Sequence, residues 1–142
     1  MSLETRRDPQ ESAALVERLW GEVWGACNPD AIDHFVTDDF VFTTAGVDAA
    51  GAEDFKAWVA AFQSTIADLK WETMETFSTI DGSSVASRFR ITGWNNGMFG
   101  LPADGKPVAF RGNALPAVTP RGELARNWVE RGAWELYRQL KE

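Results

Sequence analysis

The chain has 142 residues, the usual size of one globular domain. Its 21 acidic and 14 basic residues give a formal charge of -7, which would repel nucleic-acid phosphates, and its one cysteine and one histidine are too few for a disulfide framework or a zinc or copper site. No stretch approaches the roughly 20 apolar residues of a membrane span, and the N-terminus is charged where a signal peptide is apolar. We therefore expect one cytoplasmic domain over residues 1–142, flexible over 1–7, with no metal, nucleic-acid or membrane partner.

Two helices are predicted at the N-terminus. Asp8 can cap the first, Pro9 suits its first turn, and Glu11 completes a capping box. Its apolar face is formed by residues that recur at helical spacing, namely Leu15, Val16, Leu19, Trp20, Val23, Trp24 and Cys27. Asn28 and Pro29 repeat the cap-then-proline pattern and begin a short helix whose inward residues are Ile32, Phe35 and Val36.

Strands dominate the rest of the chain. Residues 38–44 are β-branched and aromatic, as in a strand, residues 45–51 resemble a loop, and helical spacing returns from Phe55 to Ile66. Period-two patterns separated by turn signals then predict strands at 68–78, 84–94, 108–118 and 124–131, followed by a helix at 134–140. In the first of these strands, one side carries Leu69, Trp71, Thr73 and Phe77.

The predicted helices are segregated from the predicted antiparallel strands, which indicates the α+β class. We expect a curved antiparallel sheet wrapped around the N-terminal helices, forming a cone with an internal pocket. The seven tryptophans and nine phenylalanines either fill its core or line the pocket, since small-molecule sites are mostly apolar and aromatic.

The segment from Gly93 to Gly105 joins two predicted strands. It lacks the spacing of a nucleotide-binding glycine loop and does not lead into a helix. Its apolar residues are costly to leave in water, so we expect a packed connection near the mouth of the pocket.

Several reactive side chains have ordinary structural explanations. Cys27 falls on the apolar face of the first helix, so we expect it in the core. His34 is expected at the surface, and Asp38 and Asp39 at a helix-to-strand corner, where carboxylates commonly form turns.

The last strand alternates Asn127, Val129 and Arg131 with Trp128 and Glu130, so that one set faces the cavity. A buried Asn and Arg need partners. They form either a structural network or a site for an anion or a carbonyl group.

The stretches "SRFRITGWNNGMFGLPADGKPVAFRG" and "ARNWVERGAWELYRQL" resemble the SnoaL-like polyketide cyclases, which belong to the nuclear-transport-factor-like superfamily of α+β cones. The resemblance implies a cofactor-independent aldol cyclase, with an aspartate on the final strand as acid/base and a histidine on the preceding strand. At these two positions the chain carries Val129 and Ala114, and Asn127 replaces the histidine of the family's "HWD".

The ketosteroid-isomerase branch of the same superfamily fits no better. Its catalytic aspartate and its oxyanion-binding tyrosine correspond to Thr44 and Trp20 here. The acidic pairs of the related epoxide hydrolases have no clear counterpart. A carboxylate among Glu72, Glu75 and Glu130 would restore an acid/base if it faced the pocket.

Two functions fit this resemblance: a cyclase or hydroxylase of a hydrophobic, polycyclic or polyketide-like molecule, and a non-catalytic protein that binds such a molecule. The residues expected to carry catalysis are Asn127, Arg131 and Thr44. Those expected to bind the ligand, as polar contacts, walls and lid, are Trp20, Trp24, Phe35, Trp58, Phe62, Arg90, Thr92, Trp94, Met98 and Phe99. A homodimer is expected through the outer sheet face, anchored by Trp128.

Overall fold

The computed structural model describes residues 7–142. Its helices are α1 (Pro9–Leu19), a π-helix (Trp20–Gly25), a 3-10 helix (Pro29–His34), α2 (Ala52–Ser64), a one-turn 3-10 helix (Met98–Gly100) and α3 (Ala133–Lys141). Its strands are β1 (Val36–Thr44), β2 (Val47–Ala50), β3 (Ile66–Ser78), β4 (Val85–Asn95), β5 (Pro107–Val118) and β6 (Leu124–Arg131).

The six strands form one curved, unclosed sheet in the order β2-β1-β6-β5-β4-β3. All neighbouring pairs are antiparallel except β1 and β6, which run parallel. Helices α1 and α2 and the π-helix pack against the sheet. The predicted α+β class and curved sheet are confirmed, and the short strand β2, which lies within the predicted loop 45–51, was missed.

Helix α1 begins where the sequence predicts. The Asp8 carboxylate accepts a hydrogen bond from the Gln10 N–H at 2.8 Å, and Pro9 occupies the first turn. Of the segment predicted to be flexible, residues 1–6 lie outside the described residues, whereas the Arg7 N–H donates to the Asp81 carbonyl at 2.8 Å.

The prediction that Cys27 lies in the core is wrong. After Leu19 the helix widens into a π-helix, in which the N–H groups of Ala26 and Asn28 donate to the carbonyls of Gly21 and Val23, five residues back. Cys27 then lies beyond the end of the helix, with a φ of 50°, and is exposed. A helical pattern extrapolated at 3.6 residues per turn could not reveal the wider turn.

The prediction that Phe77 shares one side of its strand with Leu69, Trp71 and Thr73 is also wrong. A bulge between Thr73 and Glu75 in β3 reverses the alternation of side chains, so that Thr76 is partly buried and Phe77 is 58% exposed. Leu69, upstream of the bulge, packs against the core.

The connection after β4 is packed, as predicted, and Asn95 organises it. The buried Asn95 amide donates to the carbonyl of Pro102 at 3.0 Å and to the Asp104 carboxylate at 2.9 Å. Its oxygen accepts from the N–H groups of Gly97 and Met98, at 3.1 and 2.9 Å. The loop is therefore tied to the end of β4. Within residues 7–142, no helix combines the length and the apolar character needed to cross a membrane.

Candidate functional site

The concave face of the sheet and the helices enclose a cavity with about 370 Å³ of empty space, part of which opens to solvent. The centre of a water molecule can occupy only about 30 Å³ of it, because aromatic rings fill most of the interior. The residues that line the cavity are Trp20, Trp24, Phe42, Phe55, Trp58, Phe62, Trp71, Phe89, Ile91, Phe110, Asn127, Val129 and Arg131.

Stacked rings form the walls. The rings of Trp71 and Phe89 stack with centroids 4.3 Å apart, and Trp24 stacks on Trp71 at 5.4 Å. On the α2 side, Trp58 and Phe62 stack at 5.2 Å with their planes 10° apart. Two parallel-ring walls of this kind suit a flat ligand, because offset stacking is the favourable arrangement for aromatic surfaces.

Two of the wall tryptophans are fixed by hydrogen bonds. The Trp20 indole N–H donates to Ser87 Oγ at 2.9 Å, and this hydroxyl also bonds to Thr76 Oγ1 at 2.8 Å. The Trp71 indole N–H donates to Thr73 Oγ1 at 2.9 Å. These bonds satisfy both indoles and hold their rings at defined angles.

Asn127 contributes an amide to the cavity. It lies on β6, in register with Phe42 of β1 and Pro116 of β5, and is only 2% exposed. Its Oδ1 has no hydrogen-bond partner within residues 7–142. A buried polar atom without a partner costs about 1–3 kcal/mol, so this atom is a candidate for a ligand contact.

Arg131 contributes the positive charge. Its guanidinium carbon lies 4.7 Å from the centre of the Phe62 ring and 5.5 Å from that of Trp58. No carboxylate within residues 7–142 forms an ion pair with it. Burial lowers the pKa of Arg131 from its ordinary value, because removal from water disfavours the charged form.

The missing side chain at Gly112 leaves room for the Phe89 ring, on the strand next to Arg131. Phe89, Gly112 and Arg131 are in register across β4, β5 and β6. A Cβ atom on Gly112 would lie 2.3 Å from Cζ of Phe89, closer than any real contact. The Phe89 ring therefore lies directly over the backbone of Gly112.

The cavity brings together six of the predicted site residues. Asn127 and Arg131 face it on β6, with Val129 between them, as the predicted alternation requires. The predicted wall residues that line it are Trp20, Trp24, Trp58 and Phe62.

Three residues of β4 were placed on the wrong side of the sheet. Arg90, Thr92 and Trp94 lie on the outer face, because Phe89 and Ile91 occupy the inward positions of the same strand. The alternation of charged and apolar residues from Arg88 to Ile91 carried this signal.

The remaining predicted residues also lie away from the cavity. Thr44, at the end of β1, is buried in register with Val129, and its Oγ1 has no partner within residues 7–142. Phe35 and Met98 belong to the core, and the ring of Phe99 packs edge-on against Tyr137 of α3. The loop after β4 therefore supplies no lining residue. Those missed by sequence reasoning are Phe42, Phe55, Trp71, Phe89, Ile91 and Phe110.

Among residues 7–142, no carboxylate or imidazole lines the cavity. The three glutamates that could have restored an acid/base, Glu72, Glu75 and Glu130, are exposed, as is His34. Across residues 7–142, no three side chains among His, Cys, Asp and Glu come together as a metal site requires.

Comparison with known proteins gives the family. The model of the SnoaL-like polyketide cyclases matches residues 14–140. The chain belongs to this family. Two positions of this chain resemble those of the family's acid/base aspartate and histidine. They carry Val129, which lines the cavity, and Ala114, which is fully buried. No curated protein is significantly similar in sequence.

Solved structures share the SnoaL-like fold at low sequence identity. A protein of Jannaschia sp. CCS1, assigned as a SnoaL-like polyketide cyclase, is 20% identical, with 93% of this chain and 92% of that one covered and a TM-score of 0.83. TsrD of Streptomyces laurentii is 22% identical over 94% and 97% of the chains, with a TM-score of 0.79. An LEH-like epoxide hydrolase of M. tuberculosis is 14% identical over 94% and 86%, with a TM-score of 0.70. At these identities the likeness shows the fold alone.

Proposed function

We propose that this SnoaL-like protein binds a flat, largely apolar, polyketide-like small molecule between the aromatic walls of its cavity. The observation that carries the proposal is the lining itself, which combines nine aromatic rings with only two polar side chains outside the indoles, Asn127 and Arg131. An apolar lining with a few placed polar groups is typical of small-molecule sites.

The space of about 30 Å³ open to the centre of a water molecule is far below the roughly 300–1,000 Å³ of sites for drug-sized ligands. A fused-ring ligand must therefore displace rings to enter. Trp58 and Phe62 of α2 are only partly buried and are the wall rings best placed to move.

The described lining contains no proton acceptor, and this favours binding over acid/base catalysis. An aldol cyclisation that uses the protein as base needs a proton acceptor within hydrogen-bond reach of the substrate carbon acid. The lining supplies an amide and a guanidinium, and neither accepts a proton at neutral pH.

The second candidate is a cofactor-independent aldol-type cyclisation of a substrate acidic enough to enolise without a protein base. The observation that favours it is the charge of Arg131, which lines the cavity without an ion pair within residues 7–142 and would stabilise an enolate oxygen there. Positioning of the reacting groups would supply the remaining acceleration.

The test is native mass spectrometry of the protein as purified from cells, followed by incubation with the released molecule. A retained aromatic small molecule that returns unchanged supports the binding function. Conversion of that molecule, with loss of turnover in the Asn127→Ala, Arg131→Ala double variant, would instead support the cyclisation. The absence of any bound molecule, together with no binding of flat aromatic probes, would contradict both.

A further inference from the structure

We infer that the ligand of this cavity is an oxyanion on a flat ring system, such as a deprotonated enol, phenol or carboxylic acid, and that Arg131 selects it by charge. The inference rests on the proposed binding function and adds the chemical class of the ligand.

The first observation is that Arg131 is left without a counter-ion in a chain rich in carboxylates. The sequence has 21 acidic against 14 basic residues, and within residues 7–142 no carboxylate pairs with Arg131, whereas Arg88 pairs with Glu75 at 3.0 Å and Lys56 with Asp33 at 2.8 Å. The Arg131 side chain is partly buried, and removal of a charge from water is normally offset by a partner of opposite charge. Because Arg131 lines the cavity, an anionic ligand would supply that partner.

The second observation is that aromatic rings contact the face of the Arg131 guanidinium. Phe62 and Trp58 lie within cation-π range of its central carbon, at 4.7 and 5.5 Å. Rings stabilise the charge only partly, by about 0.5–2 kcal/mol, and they do not accept its N–H groups as a carboxylate does. Planar oxyanions satisfy those donors in pairs.

The third observation is Asn127. Its Oδ1 is buried without a partner within residues 7–142 and lines the same cavity. Together the two residues offer donors for a negative oxygen and an amide for a second polar group of the ligand. A purely hydrocarbon ligand would leave the Asn127 Oδ1 unsatisfied and the Arg131 charge unpaired.

The experiment uses two probes of nearly the same shape, 2-naphthoate and 2-naphthamide, which differ in charge at pH 7. Their dissociation constants for the full chain are measured by tryptophan fluorescence and by calorimetry. We expect the wild type to bind naphthoate at least about tenfold more tightly than naphthamide, as a hydrogen-bonded charge pair implies. In Arg131→Gln this preference should vanish with little change in naphthamide binding.

Two further variants isolate the charge. Arg131→Lys should retain part of the preference, because it keeps the charge but loses the planar fork. Arg111→Gln is the matched control, since Arg111 is exposed on the outer face and the change should leave both constants unaltered.

Equal binding of both probes to the wild type would overturn the charge inference and leave the proposed binding function standing. Failure of both probes to bind would overturn both. A preference that persists in Arg131→Gln would overturn the role of Arg131.

Discussion

The guanidinium carbon of Arg131 lies 4.7 Å from the centre of the Phe62 ring, and Phe62 in turn stacks on Trp58 with the planes 10° apart. This contact joins the last strand to α2 across the cavity. It places a positive charge over an aromatic pair, where it is partly buried and has no negative partner among residues 7–142.

Removing this charge should stabilise the ligand-free protein. The guanidinium is partly removed from water without an ion pair within residues 7–142, whereas a Met side chain would keep the apolar contacts with the Phe62 and Trp58 rings. The lowered pKa of Arg131 likewise indicates that the folded protein disfavours the charged form of this side chain. We expect Arg131→Met to raise the free energy of unfolding by about 1 kcal/mol, in urea denaturation at pH 7. Arg88→Met, at an exposed site, serves as control, and a loss of stability in Arg131→Met would contradict the prediction.

A side chain at Gly112 should disturb the cavity wall. The added Cβ would lie 2.3 Å from Cζ of Phe89, and this ring stacks on Trp71 at 4.3 Å. We expect Gly112→Ala to cost about 1–3 kcal/mol and to change the near-ultraviolet circular dichroism of the tryptophans. Gly21→Ala, where nothing lies within 4 Å of the new carbon, should leave the spectrum unchanged and cost no stability, since alanine favours a helix over glycine. Equal spectra for the two variants would show that the wall accommodates the methyl group.

Asn95 should matter far more than its neighbour Asn96. The Asn95 side chain makes four hydrogen bonds that shape the loop after β4, whereas Asn96 makes one, to the Ser64 carbonyl at 2.9 Å. We expect Asn95→Ala to cost about 2–3 kcal/mol, since it leaves buried N–H groups unsatisfied. Asn96→Ala should cost less than about 1 kcal/mol. Thermal denaturation of both variants tests the difference, and similar midpoints would refute it.

Asp81 should make stability depend on pH in the acid range. Hydrogen bonds from the Ser83 N–H, the Ser83 hydroxyl and the Thr79 hydroxyl lower the pKa of its carboxyl group. A folded-state pKa below the unfolded value of about 4 contributes stability above that pH and loses it as the pH falls through the folded value. We expect Asp81→Asn to lower the urea midpoint at pH 7 and to approach the wild type below about pH 4.

The matched control for this pH effect is Asp38→Asn, at an exposed carboxylate without a hydrogen bond or ion pair within residues 7–142. Its difference from the wild type should stay the same across the range. A pH-independent difference for Asp81→Asn would contradict the assignment.

The homodimer through the outer sheet face stays a prediction. Leu115 and Trp128 are cross-strand partners on this face, 55% and 47% exposed. The same face carries Arg90 opposite Arg111, neither with an ion pair within residues 7–142, beside Glu72. A second copy would cover the apolar pair and supply opposite charges. We expect a dimeric mass by light scattering that becomes monomeric in Trp128→Glu, and a monomeric wild type would exclude the dimer.

The sequence predicted most of the fold because its signals are local. The cap at Asp8, the hairpin turn at Asp81 and the bounds 124–131 of the last strand all follow from neighbouring residues, and the structure has them in place. The inward set Asn127 and Arg131 was found for the same reason, since strand alternation is a local property.

The rest depended on information that local patterns do not contain. Arg90 and Thr92 were placed toward the ligand on the strength of their polarity, although Phe89 and Ile91 occupy the inward positions of that strand. Phe42, Phe55 and Phe110 reach the cavity from three separate elements, and only the assembled sheet shows that they meet. The unpaired state of Arg131 likewise depends on what packs around it.

The π-helix determines which side chains of the first helical segment face the cavity. Each residue of an α-helix turns the chain by about 100°. A π-helical turn contains one residue more than an α-helical turn, and the rotation of this extra residue is confined to the widened turn. Trp20 and Trp24 both face the cavity within this turn, and the Gln63 side chain of α2 donates to the Val23 carbonyl inside it at 2.8 Å. Deleting one residue there would restore a regular helix and swing one tryptophan out of the wall. The positions of the two tryptophans in the cavity wall therefore depend on the one extra residue in this turn.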